Sequence, residues 1–178
     1  SGFHDISGVP ASANHYTMRE VLKGRWNHDG FVVSDWGSIV QLISQGAAED
    51  LKEASEKAIM AGVDMDMMSR GYDKYLKELV GEGKVPVEIV DDAVRRILRL
   101  KFRLGLFENP YIRETTEKER FLQPEDIKIA EKLAEESFVL LKNKEKRLPL
   151  AADTKVAVIG PLGKNRWNLL GSWTAHGK

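Results

Sequence analysis

Phe31-Val32-Val33-Ser34-Asp35-Trp36-Gly37 is a short apolar, β-branched run that ends in an acid, an aromatic residue and a glycine. It follows the turn pair Asp29-Gly30, so it reads as a strand buried on both faces in a parallel sheet, not as an alternating surface strand. Upstream, residues 16–26 carry Met18, Val21 and Leu22 on one face behind the polar starter Thr17, which predicts a helix. Downstream, Leu51, Ala54, Ala58, Ile59 and Ala61 recur near helical spacing over residues 50–61. Gly62 then breaks that helix, and residues 63–67 read as a second strand starting 32 residues after the first. Helix and strand alternate, so the fold class is α/β, with parallel strands and right-handed crossovers.

The pattern continues with a helix over residues 72–82 and a longer one from about residue 87. Ile89, Val90, Ala93, Val94, Ile97, Leu98 and Leu104 trace the apolar stripe of the longer helix, and Gly105 ends it. Residues 107–124 are polar and aperiodic with two prolines, as an interdomain linker is. Three parts follow: residues 1–106 with the alternating units, the linker 107–124, and the start of a second α/β domain over 125–178. In the last part, residues 126–141 predict an amphipathic helix, 148–150 an extended stretch, and 156–160 a buried strand ending in a glycine turn.

Composition narrows the classes further. With 178 residues, 42% of them hydrophobic, the chain can form an ordinary core but is too short for a closed eight-fold barrel. Lys plus Arg and Asp plus Glu each number 27, so the net charge is zero and no nucleic-acid partner is expected. The absence of cysteine removes disulfides and thiolate metal sites and leaves the compartment open. No apolar stretch approaches the roughly 20 residues of a membrane span, so no membrane partner is expected; residues 1–10 hold no signal-peptide pattern.

A carboxylate just past a parallel strand stands where such folds place functional groups. Asp35 can serve there as a helix N-cap, with Ser34 and Ser38 equally suited to capping, or as a nucleophile or metal ligand. The adjoining Trp36 tilts the reading toward carbohydrate, because its face can stack on a sugar ring. Gly160-Pro161-Leu162-Gly163-Lys164 follows a predicted strand, yet a phosphate loop needs serine or threonine next, and the residue is Asn165. Residues 114–120 alternate in charge and contain no aromatic residue, as a solvated surface does.

The run from Gly30 to Trp36 resembles the nucleophile signature of family 3 glycoside hydrolases, and other segments follow in that family's order. Phe3-His4-Asp5-Ile6-Ser7-Gly8-Val9-Pro10-Ala11 is similar to the segment after the preceding barrel strand, and Ala61-Gly62-Val63-Asp64-Met65-Asp66-Met67 to the last barrel strand. Ser137-Phe138-Val139-Leu140-Leu141-Lys142-Asn143 with Leu148-Pro149-Leu150 resembles the entry into the second domain, and Gly171-Ser172-Trp173-Thr174 a loop reaching back to the sugar. Ser7 stands where asparagine is common, and His4-Asp5 replaces a more usual asparagine-containing pair.

The resemblance implies the C-terminal part of a (β/α)8 TIM-type barrel, a linker, and the start of a second α/β sandwich domain. It implies a retaining β-glucosidase-like enzyme with Asp35 as catalytic nucleophile, Trp36, Phe3 and Thr174 as substrate-binding residues, and no metal or organic cofactor. The expected partner is a β-linked oligosaccharide or an aryl or alkyl β-glycoside, and the expected location is periplasmic or secreted. The chain is expected to be an internal segment, completed by the remainder of its own chain: the first half of the barrel and a glutamate acid/base both lie outside it. It is therefore expected to be inactive alone. A β-xylosidase, a β-N-acetylglucosaminidase or an incomplete carbohydrate-binding fragment are the alternatives. The glucosaminidase branch uses a His-Asp dyad; a structural or hydroxyl-binding role is favoured for His4-Asp5, since neighbouring strand residues point to opposite sides. Asp64 and Asp66, two apart on one strand face, are expected to have a barrel-interior role over an acidic metal pair, and Met65, Met67 and Met68 to pack the barrel, with Met68 and Ser69 near substrate.

Overall fold

The computed structural model describes residues 1–111 and 121–171. It divides into two compact units, Ser1–Thr116 and Glu117–Lys178. The first is a helical layer against a narrow parallel sheet. Val33 pairs in parallel with Met65, and the register continues through Asp64 N to Val32 O (2.8 Å) and Ser34 N to Met65 O (2.9 Å). On the other edge, Ser1 N donates to Val33 O at 2.6 Å and Asp35 N to Ser1 O at 2.8 Å, so residues 1–2 add a parallel segment that is first in chain order, with the Val33 run second and the Met65 run third. The apolar run around Val33 is thus the central strand of three.

A small antiparallel hairpin, β1 (Asp5–Ile6) and β2 (Val9–Pro10), follows the first segment and has no counterpart in the periodicity. Its turn residues Ser7 and Gly8 both have positive φ, 55° and 79°, the backbone of a type I′ turn. Ser7 holds a conformation that asparagine or glycine adopts with less strain.

Residues Tyr16–Arg25 form a helix of π type, in place of the α-helix that the spacing of Met18 and Leu22 predicts. Four α-helices follow among the described residues of the first unit: α1 (Gln41–Ser44), α2 (Leu51–Ala61), α3 (Gly71–Gly81) and α4 (Val87–Arg103). Asp50 caps α2 by accepting a bond from Glu53 N at 2.8 Å. At its other end Gly62, at φ 112°, lets Val63 N reach Ala58 O and Gly62 N reach Ile59 O, both a Schellman closure and a direct entry into the strand. The core lies between sheet and helices: Met18, Val32, Ile39, Leu42, Ala54, Ala58 and Val63 form one cluster. Ile59, Leu79, Val85 and Ala93 form a second, with α2 contributing to both.

Arginines fasten these layers. Arg19 of the π-helix donates to Ile59 O (3.0 Å) and Met60 O (3.2 Å), carbonyls in the last turn of α2. Arg96 donates to His28 O and Gly30 O, and Arg99 to Asp29 O, so α4 holds the turn that launches the central strand.

Gly71, buried at the start of α3, lies so near α2 that an added Cβ would collide with Ser55 Oγ and stand 3.2 Å from Leu51 Cδ1. Gly71→Ala is expected to destabilise the unit by about 1–3 kcal/mol, because the overpacking outweighs the gain from restricting the unfolded chain. A urea titration checks it; an unchanged midpoint would contradict the close packing.

The second unit contains α5 (Pro124–Glu136), and none of its described residues is buried. Its helix stops at Glu136, short of the expected residue 141, and Phe138, Val139, Leu140 and Leu141 are exposed beyond it. Residues 156–160, expected as a buried strand, form no strand and are exposed, with Ile159 92% accessible. A parallel strand is stable only between hydrogen-bonding neighbours, and the described residues of this unit offer none.

Candidate functional site

The three parallel segments end on one rim, and their ends bring three of the expected site residues to the same edge of the sheet. Phe3 follows the first segment, Asp35 and Trp36 end the second, and Met67 and Met68 end the third. Phe3, Asp35, Trp36, Met67 and Met68 are all exposed. Thr174 lies outside the described residues.

Asp35 is not a helix cap. Its Oδ1 accepts a bond only one residue away, from Trp36 N at 2.6 Å, while α1 begins at Gln41 behind Val40, with no capping side chain. The backbone of Asp35 is held on both sides: its N–H by Ser1 O, its carbonyl by Ser38 N at 3.0 Å. The turn is then tied to the third segment, where Gly37 N donates to Met67 O (2.9 Å) and Val40 N to Ser69 Oγ (3.1 Å). Ser34 Oγ accepts from Met67 N at 2.7 Å. The carboxylate is therefore presented on a fixed backbone at the strand end.

Gln45, not anticipated from sequence, donates from Nε2 to Phe3 O at 2.7 Å and fixes the loop that carries this aromatic ring. At the third segment, Met68 (φ 72°) and Arg70 (φ 57°) take the left-handed backbone that non-glycine residues seldom adopt. Asp66 holds this bend, accepting from Ser69 N at 3.1 Å and Gly71 N at 2.7 Å.

These contacts correct the expectation for Asp64 and Asp66. Neither serves a sheet interior: Asp66 sits at the N-terminus of α3, and Asp64 meets the π-helix through Lys23 Nζ at 2.6 and 2.7 Å. Asp64 Oδ2 also accepts from Val32 N at 2.8 Å, joining helix, central strand and third segment. The alternation of the strand explains the result, since Met65 and Met67 take the opposite, exposed face. Burial, and then the charges of Asp66 and Asp64, push the Tyr72 phenol well above its ordinary pKa, so it stays protonated and donates to Val63 O at 2.7 Å. Lys23 and Gln45 carried no local signal, because their partners lie about 40 residues away in sequence.

His4 is exposed, and the Asp5 carboxylate serves its own hairpin, accepting from Gly8 N at 3.3 Å. That supports the structural reading of Asp5. Among the described residues, no cluster of three or more acids and histidines could hold a metal ion.

Residues 2–100 match the family model described as the glycosyl hydrolase family 3 N terminal domain. Over 98% of its length the chain is 38% identical to a periplasmic beta-glucosidase of Salmonella typhimurium, covering 23% of that protein. It is also 38% identical, over 90% of its length, to a putative beta-xylosidase of Formosa agariphila, covering 22% of it. The crystal structure of a mutant beta-glucosidase from Listeria innocua in complex with laminaribiose superposes with a TM-score of 0.81 at 39% identity, over 98% of this chain and 24% of that one. The chain thus spans about a quarter of the length of these relatives.

Proposed function

The chain belongs to family 3 of the glycoside hydrolases, and from that premise we propose that it supplies the nucleophile of a retaining β-glucosidase. Asp35 is that nucleophile. The observation that carries the reading is its carboxylate at the end of the central parallel strand, uncommitted to any helix cap and flanked by exposed Trp36 and Phe3. On this reading residues 1–106 are the C-terminal βα units of a TIM-type barrel, 107–124 the linker and 125–178 the start of the second domain.

Asp35 attacks the anomeric carbon of a β-glycoside as the C1–oxygen bond to the leaving group breaks, and a second carboxylic acid delivers its proton to that oxygen. Water then attacks the same carbon, gives its proton back to the second carboxylate and releases Asp35. Retention requires the two carboxyl groups about 5–5.5 Å apart. Carboxylates carry both steps, so no metal or organic cofactor takes part. Trp36 stacks on the aglycone side, Phe3 walls the sugar, and Thr174 contacts a hydroxyl. The substrate is a β-linked oligosaccharide or an aryl or alkyl β-glycoside. The likeness to a putative beta-xylosidase keeps β-xylosides as the second substrate class. A periplasmic or secreted location accords with the periplasmic relative, and no helix of the described residues is long and apolar enough to cross a membrane.

The test sets residues 1–178 within a complete family 3 barrel and second domain, and treats the protein with a fluorinated β-glycoside that traps the glycosyl-enzyme. Tryptic cleavage places Asp35 in peptide 26–52 and Asp64 with Asp66 in peptide 58–70. The sugar mass is expected on peptide 26–52. Its appearance on 58–70 would overturn the assignment.

A further inference from the structure

Behind the rim, two buried serines join the turn after Asp35 to the short 3-10 helix Ala11–Ala13 that precedes the π-helix. Ser12 Oγ and Ser38 Oγ are 2.9 Å apart, and the two residues are only 1% and 2% exposed. Ser12 Oγ is also 2.9 Å from Ser1 Oγ, on the segment whose carbonyl accepts from Asp35 N. Ser38 N in turn donates to Asp35 O. The backbone of Asp35 therefore has two supports on this side, and both lead to Ser12.

Ser38 adjoins Ile39, which lies with Leu42 in the first core cluster. A hydroxyl buried beside such a cluster costs free energy unless it is bonded, and an alanine would fill nearly the same space without that requirement. The bond between Ser12 and Ser38 spans 26 residues and ties that 3-10 helix to the 35–38 turn, which no ladder joins directly. It fixes the position of the 35–38 turn relative to the first segment. Gly37 N to Met67 O and Val40 N to Ser69 Oγ fix it relative to the third.

We propose that Ser12 and Ser38 are positioning residues for Asp35, acting as a pair that sets how far the carboxylate projects toward the anomeric carbon. The proposal rests on the reading of Asp35 as nucleophile. Neither serine touches substrate; each acts through the backbone of the turn. Attack on carbon depends steeply on approach distance, so a displacement of about an ångström costs up to about 100-fold in rate. Binding of the intact sugar depends on many contacts spread over the rim, and shifts far less.

Ser12→Ala, Ser38→Ala and the double variant are to be made in the protein with a complete barrel and second domain. On an aryl β-glucoside, each single change is expected to lower kcat about 10- to 100-fold, and to slow trapping by the fluorinated glycoside in parallel. KM and the affinity for a neutral competitive sugar are expected to stay within about threefold. The double variant is expected to be no slower than the slower single one, because either change removes the same bond. Should Ser38→Ala fail to fold, Ser38→Cys keeps the volume with a weaker hydrogen-bonding group and is expected to give an intermediate loss of kcat. Unchanged kcat in the folded single variants, equal losses in kcat and sugar affinity, or losses that multiply in the double variant would each overturn the proposal. The wild-type protein separates the two levels of inference. Labelling away from Asp35 overturns the nucleophile reading and this proposal with it, whereas labelling at Asp35 with unaltered variants overturns this proposal alone.

Discussion

Asp35→Ala is expected to reduce kcat on an aryl β-glucoside by several orders of magnitude while leaving the melting temperature nearly unchanged, in a protein whose barrel and second domain are complete. The kinetic part follows from the double displacement: without the carboxylate no covalent intermediate forms, and the stabilisation of the developing positive charge at the anomeric carbon is lost. The structural part follows from the contacts of the side chain. Among the described residues Oδ1 accepts only from the adjoining Trp36 N–H, the residue is exposed, and α1 begins beyond it without using it. A helix cap would give the reverse pattern, with about 0.5–2 kcal/mol of lost stability and retained turnover. Michaelis kinetics and a melting curve on the same preparation distinguish the two. Retention of more than about a tenth of wild-type kcat would remove Asp35 from the chemistry.

The elements read correctly from sequence are those whose signals are local. The stripe through Ile89 and Val90 marks α4, and Gly105 closes it as expected, with Leu106 N reaching Lys101 O and Gly105 N reaching Phe102 O. Gly62 marks the passage from α2 to the third parallel segment in the same way. The β-branched run at Val32 and Val33 identifies the central strand, and with it the position of Asp35, because a buried strand needs no long-range information to be recognised.

What sequence did not disclose depends on partners distant in the chain. Residues 16–25 have an ordinary amphipathic pattern, and nothing in it distinguishes bonds to the fifth residue back from bonds to the fourth; Trp26 N reaches Val21 O. Alternation sets Asp64 and Asp66 on one face without telling that this face, and not the opposite one, meets the helices. Residues 156–160 have the composition of a buried strand, but that composition states a need for neighbouring strands and cannot supply them. Ser12 and Ser38 are ordinary small residues until the fold sets them 2.9 Å apart.

The second large effect concerns stability. Asp64→Ala is expected to cost about 3–5 kcal/mol, since it leaves the Lys23 ammonium without its partner in the interior and Val32 N without its acceptor. The two side chains are only 5% and 1% exposed, so water cannot replace the lost contact. Lys23→Met alone is expected to be similarly damaging, because the carboxylate then stays buried unpaired. The double change Lys23→Met with Asp64→Leu is expected to recover most of the loss, leaving mainly the unpaired Val32 N–H at about 1–3 kcal/mol. The direction of the Lys23 titration supports that non-additivity. Burial is the main influence and holds the ammonium below its ordinary pKa; the bond to Asp64 and its charge oppose this, and Arg19 and Arg96 reinforce it. The unfolded chain therefore binds the more protons at pH values between the depressed pKa and 10.5. Through that window this lysine makes stability rise with pH, and Lys23→Met is expected to remove the rise. Urea unfolding of the wild type, both single variants and the double variant at neutral pH, and of the wild type and Lys23→Met near pH 10, provides the measurement. Single-variant losses that simply add in the double variant would show that Lys23 and Asp64 do not act as a pair.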